Sequence, residues 1–313
     1  MTTSLQAGAE TASRAFCAAV SSAQDESLAA TASRIDHWVL VEYRGRWGRD
    51  VLGGSLLSSE LKAHLREQLA ALGHSRLLFV KRPERRSQGG RRVFFGTSRP
   101  GAERLFRLEV EHQEDLRGID LVAALHGDGA PGDPVDGPLL VVCTHGKRDP
   151  CCSLHGRPLY DALRREQGSA SVWQSTHVGG DRFAGNVVVL PHGLYYGRVG
   201  PADARGLLAA HAAGKVDLER YRGRSAFSFP VQAAEQAIRE SEGLLGIDEL
   251  EYLGTTRLGD DSWRVRFRAP DRAVHEVDVT ATFADEPAYL TCGSAERQLA
   301  RRHMATAHRV LSG

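Results

Sequence analysis

Three of the five cysteines in this 313-residue chain fall within ten residues, in the stretch Cys143-Thr-His-Gly-Lys-Arg-Asp-Pro-Cys151-Cys152. A thiol must become a thiolate before it binds a metal or attacks a disulfide. Lys147, Arg148 and the start of a helix, whose N-terminus attracts negative charge, all favour that form. The second stretch that could do chemistry is His177-Val-Gly-Gly-Asp181-Arg-Phe-Ala-Gly-Asn186. Imidazole ligates metals alongside thiolate, and Gly179 and Gly180 let the backbone approach a bound group closely. An odd cysteine count in so long a chain argues against a disulfide framework. Clustered thiols in a reducing compartment point to a metal site or a redox centre.

These residues need a scaffold that brings both stretches to one place. Leu139–Cys143 reads as a strand and 144–152 as a loop, with Cys152 where the next helix opens and the helical pattern itself over Pro158–Glu166. Val172–Ser175 is a second strand, and His177 leaves it at the same edge of the sheet. Val187–Leu190 and Leu194–Val199 form a hairpin turning at Pro191-His192-Gly193. The same order occurs earlier: strand Trp38–Tyr43, a helix from Ser58 or Ser59 to about Leu72, strand Leu77–Val80, a basic loop 82–92, and a hairpin of Val93–Thr97 and Arg104–Val110 turning at Arg99-Pro100-Gly101. Cys143 lies 100 residues after Tyr43, and Cys152 lies 100 after Leu52. Two such units describe an α/β fold, a thioredoxin-like α/β sandwich in tandem, of which only the second copy carries ligands.

The expected organisation is a lead-in over 1–35, a degenerate unit over 36–126, a linker over 127–137, the ligand-bearing unit over 138–230 and a small α+β appendix over 231–313. In that last part Val231–Leu245 reads as helix, and Glu249–Thr256, Trp263–Arg268 and Val274–Phe283 as an antiparallel meander. A terminal helix is expected from about Ser294. A further helix, Ala204–Ala213, packs on the second unit.

Forty basic residues against 39 acidic ones leave no global field that would draw the chain to nucleic acid or an anionic membrane. The basic run Lys81–Arg92 lacks interleaved aromatics and reads as a solvated loop. No apolar run reaches the roughly 20 residues of a membrane helix, and the N-terminal stretch does not resemble a secretory signal. The expected location is cytoplasmic.

From Trp38-Val-Leu-Val-Glu42 and Trp47-Gly48-Arg49-Asp50 through Leu194-Tyr-Tyr-Gly-Arg198, the chain resembles the sucrase/ferredoxin-like proteins, relatives of the thioredoxin-like [2Fe–2S] ferredoxins. The most specific part is the spacing Cys-x8-Cys with the His-x3 loop and Ala184-Gly185-Asn186. The resemblance implies a [2Fe–2S] cluster held by Cys143, Cys152 and His177. Fungal-type members have His-x3-His and the ferredoxins Cys-x3-Cys, so the fourth position here falls on Asp181, a harder donor. Asp181 is then a ligand, an acceptor that fixes the His177 ring, or a bystander. In the last case Cys151, His145, His155 or Cys292 would complete the set. Cys17 reads as a buried small apolar residue.

The resemblance implies electron transfer or redox sensing with a redox partner protein, and no catalytic residues are expected. No carboxylate pair supports sugar cleavage. Two alternatives remain: a structural zinc site, which the Cys143, Cys152, His177 and Asp181 donors suit, and a thiol–disulfide oxidoreductase, for which the usual Cys-x-x-Cys is missing and vicinal Cys151-Cys152 is a poor substitute.

Overall fold

The computed structural model describes residues 15–82, 90–126 and 131–311. Its elements in chain order are α1 (Cys17–Ala23), β1 (His37–Glu42), α2 (Ser59–Leu72), β2 (Ser75–Lys81), β3 (Arg91–Thr97), β4 (Arg104–Val110), α3 (Leu121–His126) and β5 (Asp133–Pro134). There follow β6 (Leu139–Cys143), α4 (Pro150–Glu166), β7 (Ser171–Ser175), β8 (Val187–Leu190), β9 (Leu194–Tyr196), α5 (Ala204–Ala212), β10 (Tyr221–Arg224) and α6 (Phe229–Glu242). The chain ends in β11 (Glu251–Gly259), β12 (Ser262–Arg268), β13 (Val274–Phe283) and β14 (Arg301–Leu311).

The repeated order becomes a repeated pairing. β1 lies between parallel β2 and antiparallel β3, and β3 pairs with β4. In the same way β6 lies between parallel β7 and antiparallel β8, and β8 pairs with β9. The halves meet where β2 and β7 pair antiparallel at only two positions, Val80 with Ser175 and Lys81 with Gln174. Among the described residues this gives one ten-stranded sheet, ordered β10-β9-β8-β6-β7-β2-β1-β3-β4-β5.

Alternating side chains divide the core. On β1, Val39 and Val41 join Leu61 and Leu65 of α2, whereas Trp38 and Leu40 face the other way. On β6, Leu140 and Val142 meet Leu159 and Leu163 of α4, whereas Val141 and Cys143 join Trp38 and Leu40 in one cluster. β9 and β1 are five strands apart in the order, about 24 Å in a flat sheet. Yet the Tyr195 and Trp38 rings are 6.3 Å apart, and Phe94 meets Trp173 at 5.3 Å. The sheet therefore folds over at the β2–β7 junction, pressing its two halves together with the helices outside. The α/β sandwich is thus tandem, with one shared inner core.

The C-terminal part is a separate antiparallel sheet, β11-β12-β13-β14, packed against α6 through Val231, Ala234, Ile238, Val265, Phe267, Val277 and Val279. Buried Glu235 of α6 ties this layer back to β10. Its carboxylate accepts from the Tyr221 hydroxyl (3.0 Å) and pairs with fully buried Arg239 (3.0 Å).

Several expectations are corrected. The terminal helix expected from Ser294 is instead a loop followed by β14, which pairs with β13 along its length. β14 is an exposed edge strand, so it carries little alternation to read. α4 starts at Pro150, not Pro158: Asp149 caps it by accepting from the Cys151 N–H (2.9 Å), Pro150 sits in the first turn, and Pro158 is inside the helix. The 100-residue offset fits β1 and β6 but not the helices, because Leu52 precedes α2 while Cys152 is within α4. The part of the expected linker that is described contributes β5, which pairs with β4. Residues 127–130, and residues 83–89 of the basic run, lie outside the described residues.

Candidate metal centre

Cys143 is the last residue of buried β6, and its N–H donates to Asn186 O (3.0 Å). Cys152 sits in the first turn of α4, and both side chains belong to the inner core between the halves. A close approach sets their spacing: a Cβ on Gly156 would lie 2.0 Å from Cys143 O. His177 follows β7, and its ring comes to the same place. Ligand atoms of Cys143, Cys152 and His177 all lie within 4.8 Å of one another. Asp181 stands against this group. Its Oδ1 is 2.9 Å from His177 Nδ1 and accepts from Cys152 Sγ at 3.1 Å.

The loop carrying His177 is held from several sides. Arg222 of β10, fully buried, donates to Gly179 O (3.1 Å), Asn186 Oδ1 (2.7 Å), and both the hydroxyl and the carbonyl of Thr31. Gly180 has φ +78°, and a Cβ there would lie 2.3 Å from an Arg222 nitrogen, so only glycine fits. The ligand-free first half supplies the rest: Val178 O accepts from Arg76 and Ser33, and Thr176 N–H donates to Phe79 O (2.9 Å). Tyr195 donates to the same Val178 carbonyl (3.0 Å).

The electrostatics follow from this packing. The hydrogen bond from Cys152 outweighs burial and holds the Cys143 thiol well below its ordinary range, with His177 adding to the effect. The same bond pushes Cys152 up, and so do burial and the charges of Cys143 and Asp181. Burial opposes protonation of His177, but Asp181 and Cys143 outweigh it and raise the imidazole to about 9. Burial likewise opposes ionisation of Asp181, and His177 overcomes it.

The other named residues go elsewhere. Buried His145 spends both ring nitrogens on the protein: Nε2 bonds Gly48 O (2.7 Å), and Nδ1 accepts from the His177 N–H (3.2 Å). It is a brace for His177. His155 lies on the exposed side of α4. Cys151 points away from Cys152 and meets Cys17, Cys292 and Asp149 in a second group. Sequence reasoning missed Arg222 and Arg76, whose partners are far away in the chain, and Asp149, which joins neighbouring Cys151 to distant Cys17 and Cys292. The Asp-Pro before two cysteines was the one local signal for Asp149 as a helix cap.

Two curated relatives, both named altered inheritance of mitochondria protein 32, are similar to part of this chain. The one from Meyerozyma guilliermondii is 38% identical over 95 residues, covering 27% of this chain and 34% of the relative. The one from Eremothecium gossypii is 32% identical over 110 residues, covering 31% and 35%. The match thus spans about a third of each relative's length. Two structures of the thioredoxin-like [2Fe–2S] ferredoxin from Aquifex aeolicus each align at 19% identity with a TM-score of 0.26, covering 28–29% of this chain and 94–97% of theirs. Among the described residues no helix is long and apolar enough to cross a membrane. Residues 28–223, more than half the chain and including Cys143, Cys152, His177 and Asp181, match the sucrase/ferredoxin-like family, and the chain belongs to it.

Proposed function

We propose that this protein binds a [2Fe–2S] cluster through Cys143, Cys152 and His177, with Asp181 as fourth donor, and serves as an electron carrier or redox sensor. The observation that carries this reading is the meeting of three donors from a strand end, a helix start and a loop within 4.8 Å, in a family named for ferredoxins. The donors fit iron: thiolate and imidazole are both cluster ligands. When bound, the cluster would supply one-electron exchange, at a potential raised because imidazole is neutral where thiolate is charged. Rieske centres, with two histidines, span roughly −150 to +300 mV against about −400 mV for plant-type ferredoxins.

The protein's own residues set the access. Cys143 and Cys152 are buried, whereas the His177 side chain is 21% exposed. His177 is therefore the opening toward solvent, and a redox partner protein would dock over it. A reducing compartment such as the cytoplasm fits five unpaired thiols.

One observation favours a second reading. Asp181 brings a hard oxygen to a compact set of two sulfurs and one nitrogen, and that mixture suits a single tetrahedral zinc. Protein expressed with ample iron and purified without oxygen decides between them. A brown protein that bleaches with dithionite and contains equal iron and sulfide supports the cluster. A colourless protein whose zinc content falls by about one per chain in Cys143→Ser would replace it with the zinc site.

A further inference from the structure

The second cysteine group lies outside the centre described above. Cys17 comes from the first turn of α1, Cys151 from the first turn of α4, and Cys292 from the connection between β13 and β14. Their sulfurs form a nearly equilateral triangle, with Cys17–Cys151 at 3.6 Å, Cys151–Cys292 at 3.4 Å and Cys292–Cys17 at 3.5 Å. A tetrahedral zinc with Zn–S bonds of about 2.3 Å needs S···S edges of about 3.8 Å, so this triangle is close to one face of such a site. Neighbouring positions on a helix are about 100° apart, which is why Cys151 and Cys152 serve different groups.

Simple apolar packing does not account for the fourth member. Asp149 is fully buried, and its carboxylate oxygens lie 3.8 and 3.9 Å from Cys17 Sγ. They also accept from the N–H groups of Cys151 (2.9 Å) and Cys292 (2.7 Å). The Cys17 N–H donates to Cys292 Sγ (3.4 Å), the kind of bond that supports a metal-bound thiolate. Each Asp149 oxygen spends one lone pair on these N–H groups and keeps another that a cation between the sulfurs can use.

We propose that Cys17, Cys151, Cys292 and Asp149 form a second site that binds one thiophilic divalent cation, zinc, and so clamps the N-terminal segment and the C-terminal connection onto the start of α4. Binding releases the thiol protons to water, and no electron transfer is involved. The proposal does not depend on what Cys143 and Cys152 hold.

The test is the metal content of the full chain purified with reductant from cells supplied with iron and zinc. Beyond any zinc at the first centre, about one zinc per chain is expected in the wild type, with a sulfur-dominated first shell by X-ray absorption. That zinc should remain in Cys143→Ser and fall at least about tenfold in Cys292→Ser and Cys17→Ser, as expected when a four-donor site loses a ligand, while their iron stays at the wild-type level. Should either serine variant fail to fold, thiol titration of the native wild type gives the answer: three thiols should react only after a zinc chelator is added. Zinc absent from the wild type, zinc lost only in Cys143→Ser, thiols that react without chelator, or a native Cys17–Cys151 disulfide would each overturn the proposal. Loss of the cluster reading would appear separately, as absent iron.

Discussion

Gly156 and Cys143 stand in backbone contact: the Cβ that Gly156 lacks would lie 2.0 Å from the Cys143 carbonyl oxygen. Helix α4 therefore rests directly on the end of β6, and Cys152, one turn earlier, is held at a fixed height beside Cys143. Alanine in a helix interior normally gains about 1 kcal/mol over glycine. Here Gly156→Ala should instead lose about 1–3 kcal/mol, because a buried helix must move off a strand. Denaturant unfolding should show a lower midpoint together with lower iron content. A stabilised variant with normal iron would show that the contact does not position the thiols.

Asp181 touches both His177 and Cys152, so its removal should be felt at the metal rather than in the fold. Asp181→Ala is expected to lose iron or bleach rapidly in air while retaining the wild-type circular dichroism. If the absorption spectrum and iron content stay as in the wild type, Asp181 is not a ligand.

Arg222 links β10 to the His177 loop through Gly179 and Asn186 and to the N-terminal segment through Thr31. Arg222→Met fits the space but leaves several buried acceptors without a donor, at a cost on the order of 3 kcal/mol. The expected signature is a lower melting temperature together with faster hydrogen exchange in the loop that carries His177. Unchanged exchange there would confine the role of Arg222 to general stability.

Two buried histidines give the stability a pH dependence. Burial lowers His211, which packs edge-on against Tyr196, to about 4, with the charge of His192 adding to the effect. Burial, aided by Arg99, lowers His37 to about 4 as well. Above the unfolded value near 6.5 both states are neutral and nothing changes. Between 6.5 and 4 the unfolded chain takes up protons that the native protein does not, so stability falls with falling pH. His211→Phe removes one of these groups. Its loss of stability between pH 7 and pH 4.5 should be smaller than that of the wild type, and an equal loss would show that His211 does not titrate this way.

The legible part of the site was the local part. Cys143, Cys152 and His177 stand in short stretches with glycines and a strand before each, and the structure brings them together. The brace was hidden because Arg76 and Arg222 act from strands far from His177 in sequence, and nothing in their own neighbourhoods marks them. Cys17 looked like a packed apolar residue because its sulfur partners are 134 and 275 residues away. The repeat was readable from the order of elements, but the shared core was not. Trp38 and Tyr195 carry the same apolar signal whether a sheet lies flat or folds over. β14 was misread because an exposed edge strand lacks the two-residue rhythm that marks a half-buried one.

The folded-over sheet also constrains how the chain reaches its native state. During synthesis the first half emerges with Trp38, Leu40 and Phe94 on a face whose cover stays incomplete until β8 and β9 have been made, about half a chain later. Contacts that span so much sequence form slowly, and an uncovered apolar sheet face is prone to aggregate. The first half therefore depends on the second to complete its core, and shortening the chain after β7 would leave that apolar face only partly covered.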